Sequence, residues 1–260
     1  MIRGRGRTQA GRLVTVDQWL VCSGLLTPFD SPVVFDIGLG DTPDTTVELF
    51  HSLRACYPLV CMYGIDHHAG RVAFAQQYEE QGLSFHLGGF DAGEELGRAH
   101  VIRVFNVLRG YPLPDIAKAH YALGNSLVEG GWLLDGNASA DGHVAVALLL
   151  QREGRYLRRR SILFKVSGSR GFSPVMLRNF LPRDLRGTAR HGHPMESFFD
   201  RWISAWESVR HVVATPFQSS VEALSETLDI AIKYPGVAIW HPTGGIPQRD
   251  GTFQSLALDP

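Results

Sequence analysis

Acidic residues and glycines stand close together at the end of an apolar run in this 260-residue chain: Asp36, Gly38, Gly40 and Asp41. A second apolar run, over residues 59–65, ends at Asp66. Glycines in a turn let the backbone approach a ligand, and a carboxylate that ends the next strand accepts both hydroxyls of a ribose. These residue types at this spacing predict a nucleoside-binding site at the carboxyl ends of two parallel strands.

Unbroken apolar runs supply the strands that would position these residues. Such runs, rather than alternating ones, are typical of strands covered on both faces of a parallel sheet. They predict strands over 32–37, 59–66, 83–87, 100–106 and 131–135, with helices over 12–26, 69–80 and 114–127. A further helix follows Pro43, where Thr45 and Glu48 have the spacing of a capping box. The alternation of strands and helices predicts right-handed crossovers in a parallel sheet.

The pattern changes after the fifth strand. Two strand-like runs, 143–151 and 156–166, are separated by only four residues. A connection this short joins only antiparallel strands, so the sheet should end in a hairpin. Later periodicity predicts helices over 174–186, 194–210 and 219–231 and a strand over 237–240. We therefore expect one domain, with an N-terminal arm and helix (1–30), a ligand-binding core (31–166) and a mainly helical addition (167–260).

The segment Phe35-Asp36-Ile37-Gly38-Leu39-Gly40 resembles the first motif of class I S-adenosylmethionine-dependent methyltransferases. The resemblance covers roughly residues 30–166 and implies an α/β, Rossmann-like fold with helices on both faces of a mostly parallel sheet. It implies that Asp36 helps to hold the amino end of the cofactor and that Asp66 binds the ribose. It places Phe90 and Asp91 at the adenine and Asn106 facing the methyl group. The implied cofactor contacts are Asp36, Gly38, Gly40, Asp41, Asp66, His67, Phe90, Asp91 and Asn106.

Two features depart from the family pattern. Thr42 replaces the third glycine of the usual Gly-x-Gly-x-Gly, and Asp66 lies 26 residues beyond Gly40, later than usual. Thr42 brings a side chain close to the loop, and the late position of Asp66 predicts a longer helix between the first two strands.

The charge of the glycine loop separates two cofactor classes. A nicotinamide dinucleotide carries a pyrophosphate, which seeks backbone amides away from acids. S-adenosylmethionine carries a sulfonium and an ammonium, and Asp36, Asp41 and Asp44 suit these cations. The Tyr-x-x-x-Lys pair of short-chain dehydrogenases is also absent. We expect S-adenosylmethionine as the cofactor, with an NAD(P)-dependent oxidoreductase as an alternative.

Each candidate residue also has a structural interpretation. The two glycines could simply form a tight turn, and Asp66 could cap the helix that begins near Ala69. Asp91 could be a loop acid, and Asn106 could stabilise a turn. A structural role for Asp36 would require a buried partner, because an unpaired acid in an apolar strand is costly.

The cysteines and histidines do not predict a metal site. Cys56, Cys61, His67 and His68 lack tight zinc spacing, and the two cysteines should point to different places. Three cysteines form an odd, sparse set, which indicates a reducing compartment. The basic N-terminus has no apolar stretch typical of a secretory signal, and no run is long enough to span a bilayer. We expect a cytoplasmic protein.

Opposite charges are segregated along the chain although its formal net charge is only −1. Residues 36–100 carry ten acids against three bases, and residues 151–190 carry eleven bases against two acids. The arginines could protect an edge strand or form a basic rim that attracts an anionic substrate. Because no basic patch has aromatic residues interleaved in it, we do not expect a nucleic-acid partner.

These observations predict methyl transfer to an oxygen or nitrogen of a small-molecule acceptor. Such an in-line displacement relies largely on alignment, so the lack of a catalytic triad does not argue against an enzyme. No catalytic base is identified, and the oligomeric state is not predicted. A protein of the same fold that binds a ligand or partner without catalysis is the second hypothesis.

Overall fold

The computed structural model describes residues 9–168, 171–186, 194–211, 214–242, 246 and 256–257. Within them, ten strands form one sheet. The strands are β1 (Val33–Ile37), β2 (Cys61–Asp66), β3 (Leu83–Leu87), β4 (Ala99–Phe105), β5 (Leu127–Ala138), β6 (Val144–Glu153), β7 (Tyr156–Val166), β8 (Ile230–Tyr234), β9 (Val237–Trp240) and β10 (Leu256–Ala257).

The helices flank the sheet. They are α1 (Val14–Cys22), α2 (Asp44–Cys56), α3 (Ala69–Ala75), α4 (Gly93–Leu96), α5 (Leu113–Asn125), α6 (Pro174–Arg178), α7 (Pro194–Val209) and α8 (Pro216–Ser225). Helices α2 to α5 connect the parallel strands of the sheet. Short 3-10 turns cover 76–78 and 108–110. Among the described residues, no helix is both long enough and apolar enough to cross a membrane.

The strand order is β3-β2-β1-β4-β5-β6-β7-β9-β8, with β10 paired to β7. The strands from β3 to β5 in this order pair in parallel. The predicted hairpin is confirmed, because β6 and β7 pair antiparallel from Val144↔Val166 to Glu153↔Tyr156. It does not end the sheet as expected, because β9 pairs with β7 and β8 follows at the edge. The chain also turns directly from β5 into β6, which pair antiparallel without an intervening helix. The α/β, Rossmann-like fold class is therefore confirmed.

Several predicted elements differ from the structure. The helix expected over 219–231 is wrong in its second half, where Ile230 begins β8 and pairs with Trp240 of β9. The helix expected over 174–186 ends at Arg178. The predicted capping box does not form, because α2 begins with Pro43 as its N-cap and Thr45 is buried inside the first turn. Tertiary pairing and burial outweighed local propensity at these positions.

Both faces of the sheet are covered by apolar side chains. On one face α1 and α2 pack through Val16, Leu20, Leu49 and Leu53. On the other, α5, α7 and α8 share one core with the strands. Its centre is aromatic, and the rings of Phe198 (α7) and Trp240 (β9) stack with centroids 3.8 Å apart. The helices after residue 174 thus pack into the same core as the parallel strands.

Candidate functional site

The loop after β1 is held in a conformation that glycine favours. Gly38 has φ +94° and Gly40 has φ +75°, in the region that other residues adopt only with strain. Gly38 donates its N–H to the Ile65 carbonyl at 2.8 Å, which joins the loop to β2. A Cβ on Gly38 would lie 2.3 Å from Val107 Cγ2. The missing side chain therefore allows the loop after β4 to pack directly on this turn.

Asp66 ends β2 beside this loop, and its side chain is only 2% exposed. One carboxylate oxygen accepts the Leu39 N–H at 3.1 Å, and the other accepts the His68 N–H at 2.9 Å. His68 is the N-cap of α3 and the helix has no side-chain cap, so Asp66 stabilises the turn before α3 but does not cap the helix as its structural interpretation required. Asp66 also fixes the glycine loop to the end of β2.

Arg71 links two of the carboxylates at this edge. Its guanidinium lies 3.2 Å from Asp41 Oδ1 and 3.6 Å from Asp66 Oδ2. The Asp41 side chain is 59% exposed, and the adjacent His67 is also largely exposed. His67 Nδ1 also lies 3.6 Å from Asp66 Oδ1, so a ligand can reach the Asp66 carboxylate only if its neighbours Arg71 and His67 move.

Asp36 faces away from this edge into a buried ion network. Arg103 binds both of its oxygens, through Nε at 2.8 Å and a terminal nitrogen at 2.7 Å. The Thr46 hydroxyl donates to the same carboxylate at 2.6 Å, and Arg103 also donates to Asp17 of α1. Arg103 is therefore the buried partner that a structural role for Asp36 requires. The sequence carried a signal for it, because Arg103 is a charged residue inside a second apolar strand and lies beside Asp36 in register.

The two acids of this network are not equally well paired. Asp36 accepts three side-chain hydrogen bonds, whereas Asp17 Oδ2 has no hydrogen-bond partner among the described residues. Burial raises the pKa of Asp17 to about 6, against the opposing effect of the Arg103 charge. Burial alone would lower the pKa of Arg103, but Asp17 and Asp36 outweigh it and raise that pKa. The two acids therefore hold the Arg103 guanidinium in its charged form.

The remaining predicted residues follow β3 and β4. Phe90 is half-buried and meets the Tyr111 ring edge-on at 5.7 Å, while Asp91 is exposed. Asn106 has φ +61° and exchanges two hydrogen bonds with the Ala138 backbone, its Nδ2 donating at 3.2 Å and its Oδ1 accepting at 3.0 Å. Its side chain therefore joins the ends of β4 and β5, as the turn-stabilising interpretation requires.

The structure brings most of the predicted residues to one edge of the sheet. Gly38, Gly40, Asp41, Asp66 and His67 lie together at the carboxyl ends of β1 and β2, and the loop with Phe90 and Asp91 follows β3 at the same edge. Asp36 is one layer deeper, and the Asn106 amide is directed to β5. Exposed carboxylates beside a glycine turn suit a cationic nucleoside and disfavour a phosphate.

Sequence reasoning missed a buried His–Asp pair beneath this edge. His120 Nε2 of α5 lies 3.0 Å from Asp135 Oδ2 of β5, and both residues are buried. Burial raises the pKa of Asp135, and the hydrogen bond from His120 acts in the opposite direction. The apolar face of α5 gave no signal for this pair. Its burial keeps it from contacting a ligand directly.

Comparison with known proteins gives matches only to solved structures, since no protein-family model and no curated protein matches. PKMT2 from Rickettsia typhi in complex with AdoHcy matches at 16% identity and TM-score 0.37, over 47% of this chain and 25% of that one. Human N-acetylserotonin methyltransferase in complex with SAM matches at 20% and 0.34, over 50% and 39%. A putative sarcosine dimethylglycine methyltransferase from Galdieria sulphuraria matches at 15% and 0.38, over 47% and 46%. The chain thus spans between a quarter and just under half of the length of these solved proteins, all of which are described as methyltransferases or crystallised with AdoHcy.

Proposed function

We propose that this protein binds S-adenosylmethionine at the loop between β1 and α2 and transfers the methyl group to an oxygen or nitrogen of a small-molecule acceptor. The observation that carries the proposal is the turn at Gly38 and Gly40, joined to Asp66 at the end of the neighbouring parallel strand. A glycine turn and a terminal acid in this arrangement form a nucleoside site at the carboxyl ends of the strands.

The charges around the turn support S-adenosylmethionine over a dinucleotide. Asp41 and Asp91 are exposed there, and Asp44 begins α2. Carboxylates attract a sulfonium and an ammonium but repel a pyrophosphate. Asp36 is neutralised by Arg103, so under this proposal it positions β1 and α2, and Asp41 is the acid available to the amino end of the cofactor.

The residues fit the cofactor once the neighbours of the Asp66 carboxylate move. Asp66 has the correct place and chemistry for ribose hydroxyls, and binding would move Arg71 from its carboxylate toward Asp41. The cofactor supplies an activated methyl group, and the protein contributes alignment of donor and acceptor. The loops after β4 and β5 and the segment after β7 lie at the same edge, and we assign them to the acceptor.

Calorimetry with S-adenosylmethionine tests the cofactor. Asp66→Asn should weaken saturable binding at least tenfold, because hydrogen bonds to a charged group contribute ~1.5–3 kcal/mol each. Asp30→Asn is the matched control, since Asp30 is an exposed acid before β1, at the opposite edge of the sheet. Thermal unfolding of both variants separates lost binding from lost folding. If the protein binds a nicotinamide dinucleotide tightly and does not bind S-adenosylmethionine, the oxidoreductase alternative is favoured.

A second candidate is a ligand- or partner-binding protein without catalysis. The contacts that already occupy Asp66 and Asn106 favour it, as does the Val107 side chain over Gly38. Transfer from a methyl-labelled donor, assayed with an acceptor panel and with cell extract, distinguishes the two. Labelled product supports the enzyme, whereas cofactor binding with no transfer to any acceptor supports the second candidate.

The cysteines support a reducing compartment, and we propose the cytoplasm. Cys22, Cys56 and Cys61 are all exposed and free. Exposed free thiols are uncommon in proteins of oxidising compartments.

A further inference from the structure

Three arginines converge beside the loop after β4. Arg109 lies in the 3-10 turn over 108–110, and Arg183 Nε donates to the Tyr111 carbonyl at 3.4 Å. Arg183 and Arg186 share one helical turn, because the Arg186 N–H bonds to the Pro182 carbonyl at 2.9 Å. The turn after α6 is thus joined to the loop after β4, two residues from Arg109, and the charges of Arg109 and Arg183 both act on the Arg186 guanidinium. We call these three residues the arginine cluster.

The arginine cluster is not neutralised by the protein. In the described part of the chain, none of the three has a carboxylate within 4 Å, unlike Arg71, Arg103, Arg159 and Arg178. The nearest acids in sequence are already paired, Asp184 with Arg159 and Asp115 with Lys118. The cluster therefore presents three adjacent positive charges.

Arg186 is half-buried, and only part of its guanidinium has a hydrogen-bond partner. One terminal nitrogen donates to the Asn179 carbonyl at 3.0 Å, but its Nε is buried without an acceptor among the described residues. Burial lowers the pKa of its guanidinium, and the charges of Arg109 and Arg183 lower it further. A buried donor and mutual repulsion are both unfavourable, and a bound anion would relieve both.

The cluster lies where an acceptor would meet the methyl donor. Arg109 is three residues beyond Asn106, and Tyr111 packs on Phe90 of the loop after β3. The carbonyls of Phe180 and Leu181, just before Arg183, accept hydrogen bonds from Asn137 Nδ2 near the end of β5. The segments that carry the three arginines are therefore joined to the loops at the carboxyl ends of β4 and β5, the edge of the sheet that also holds the proposed cofactor loop.

We propose that Arg109, Arg183 and Arg186 bind an anionic group, a carboxylate or a phosphate, on the methyl acceptor. The proposal rests on the proposed function and names its substrate class. Guanidinium forks match both anions through paired, charge-assisted hydrogen bonds. An acceptor whose anionic group is bound by the arginine cluster would be oriented with its nucleophile toward the neighbouring nucleoside site.

Anion titrations at constant ionic strength test the cluster. Inorganic phosphate and acetate, each replacing chloride, are titrated by calorimetry into the full chain and its variants. Arg109→Gln should weaken binding of the preferred anion at least tenfold, and Arg109 is exposed, so folding should be intact. Arg186→Gln should have the same effect. Arg155→Gln is the matched control, because Arg155 is exposed in the turn between β6 and β7, at the opposite edge of the sheet. The phosphate and acetate arms show which anion the site prefers.

S-adenosylmethionine binding, measured on the same variants, separates this proposal from the proposed function. Lost anion binding with unchanged cofactor binding supports an acceptor site. Equal weakening of cofactor binding would overturn it, since the cluster would then hold the carboxylate of the cofactor. The proposal would also be overturned if the unmodified protein bound neither anion, or if Arg109→Gln and Arg186→Gln bound the anion as tightly as the unmodified protein. If the unmodified protein binds the anion but not S-adenosylmethionine, the proposed function is refuted. The anion site itself is then still supported.

Discussion

Arg103 is the residue on which the interior of the site depends. It connects α1, β1, α2 and β4, because it donates to Asp17, Asp36 and the Thr45 carbonyl. A buried ion pair gives little net stability relative to apolar packing, but loss of one partner leaves an uncompensated charge. The network therefore restrains which packing arrangements are possible beneath the glycine loop.

Replacement of Arg103 by Met should be strongly destabilising. It leaves two buried carboxylates without their cation, which costs roughly 3–5 kcal/mol. Urea unfolding followed by circular dichroism measures the change, and Arg201→Met on the exposed surface of α7 is the control. Arg103→Lys should rescue little, since an ammonium cannot form the bidentate contact with Asp36. A loss below about 1 kcal/mol would contradict the importance of this network.

Asp17 gives the network a pH dependence with a definite sign. Its pKa in the folded protein is about 6, above the ~3.9 of an unfolded aspartate, so the folded state holds the proton more tightly. The free energy of unfolding should therefore fall as pH rises from about 4 to 6, by up to about 1.4 kcal/mol per pH unit from this group. Above pH 6 the contribution is constant.

Asp17→Asn isolates this effect from the other titrating groups. The difference in free energy of unfolding between the parent and this variant, measured in urea from pH 4 to 8, should carry the slope predicted for Asp17. The variant keeps the shape of the side chain and an oxygen that can accept from Arg103. A difference that is flat between pH 4 and 6, or that rises with pH, would show that Asp17 is ionised throughout.

At the scale of elements, the glycine turn positions α2 relative to β4. Gly38→Ala should cost roughly 1–3 kcal/mol for a positive φ and a further ~1–3 kcal/mol for the clash with Val107. Gly154→Ala is the matched control, because Gly154 has φ +56° but open space at its Cβ position. It should therefore cost only the ~1–2 kcal/mol of the backbone term. Thermal and urea unfolding measure both variants.

A double substitution separates the two contributions at Gly38. Val107→Ala removes the Cγ2 atom that a new Cβ would meet. It should therefore restore the stability lost to the clash but not the stability lost to backbone strain. The combined loss in Gly38→Ala with Val107→Ala should then fall below the sum of the two single losses. Strict additivity would mean that Val107 does not pack on the turn.

The elements predicted from sequence were those whose pattern is local. The apolar runs located the five parallel strands, and the four-residue connection after Gln151 predicted the antiparallel pairing of β6 and β7. Strand β8 was missed, because Ile230 and Ile232 are extended only through pairing with β9. The extent of β5, from Leu127 to Ala138, likewise depends on its neighbours β4 and β6 rather than on its own residues.

For the site residues, the sequence predicts their position in the sheet but not their hydrogen-bonding partners. The edge at which Gly38, Gly40 and Asp66 meet follows from chain order in a parallel sheet. The partners of the polar groups do not, because Arg103 and Asp36 are 67 residues apart and Arg183 and Tyr111 are 72 apart. A sequence shows that a buried acid needs a partner, but only the packed structure shows which residue supplies it.

Across the whole molecule, the charge segregation of the sequence becomes a polarity across the sheet. The acidic segment 36–100 forms the side with β1, β2 and β3, and the basic segment 151–190 contributes β7 and the turn with Arg183 and Arg186. The two meet at β4, between the glycine loop and the arginine cluster. A cation and an anion would therefore be attracted to adjacent parts of the same edge, as expected when a cationic donor meets an anionic acceptor.

The C-terminal helices should unfold together with the parallel sheet as one cooperative domain. Phe198 of α7 packs between Phe164 of β7 and Trp240 of β9, and Trp202 packs on Phe164 and Phe198. Near-ultraviolet circular dichroism reports these aromatic contacts. The urea unfolding curve that it gives should coincide with the curve from far-ultraviolet circular dichroism. Phe198→Leu, a cavity-forming change in a buried cluster, should lower both midpoints equally, by an amount that corresponds to roughly 1–3 kcal/mol. If the aromatic signal were lost first while helix and strand ellipticity persisted, residues 167–260 would be a separate unit, and the arginine cluster would not be held rigidly against β4.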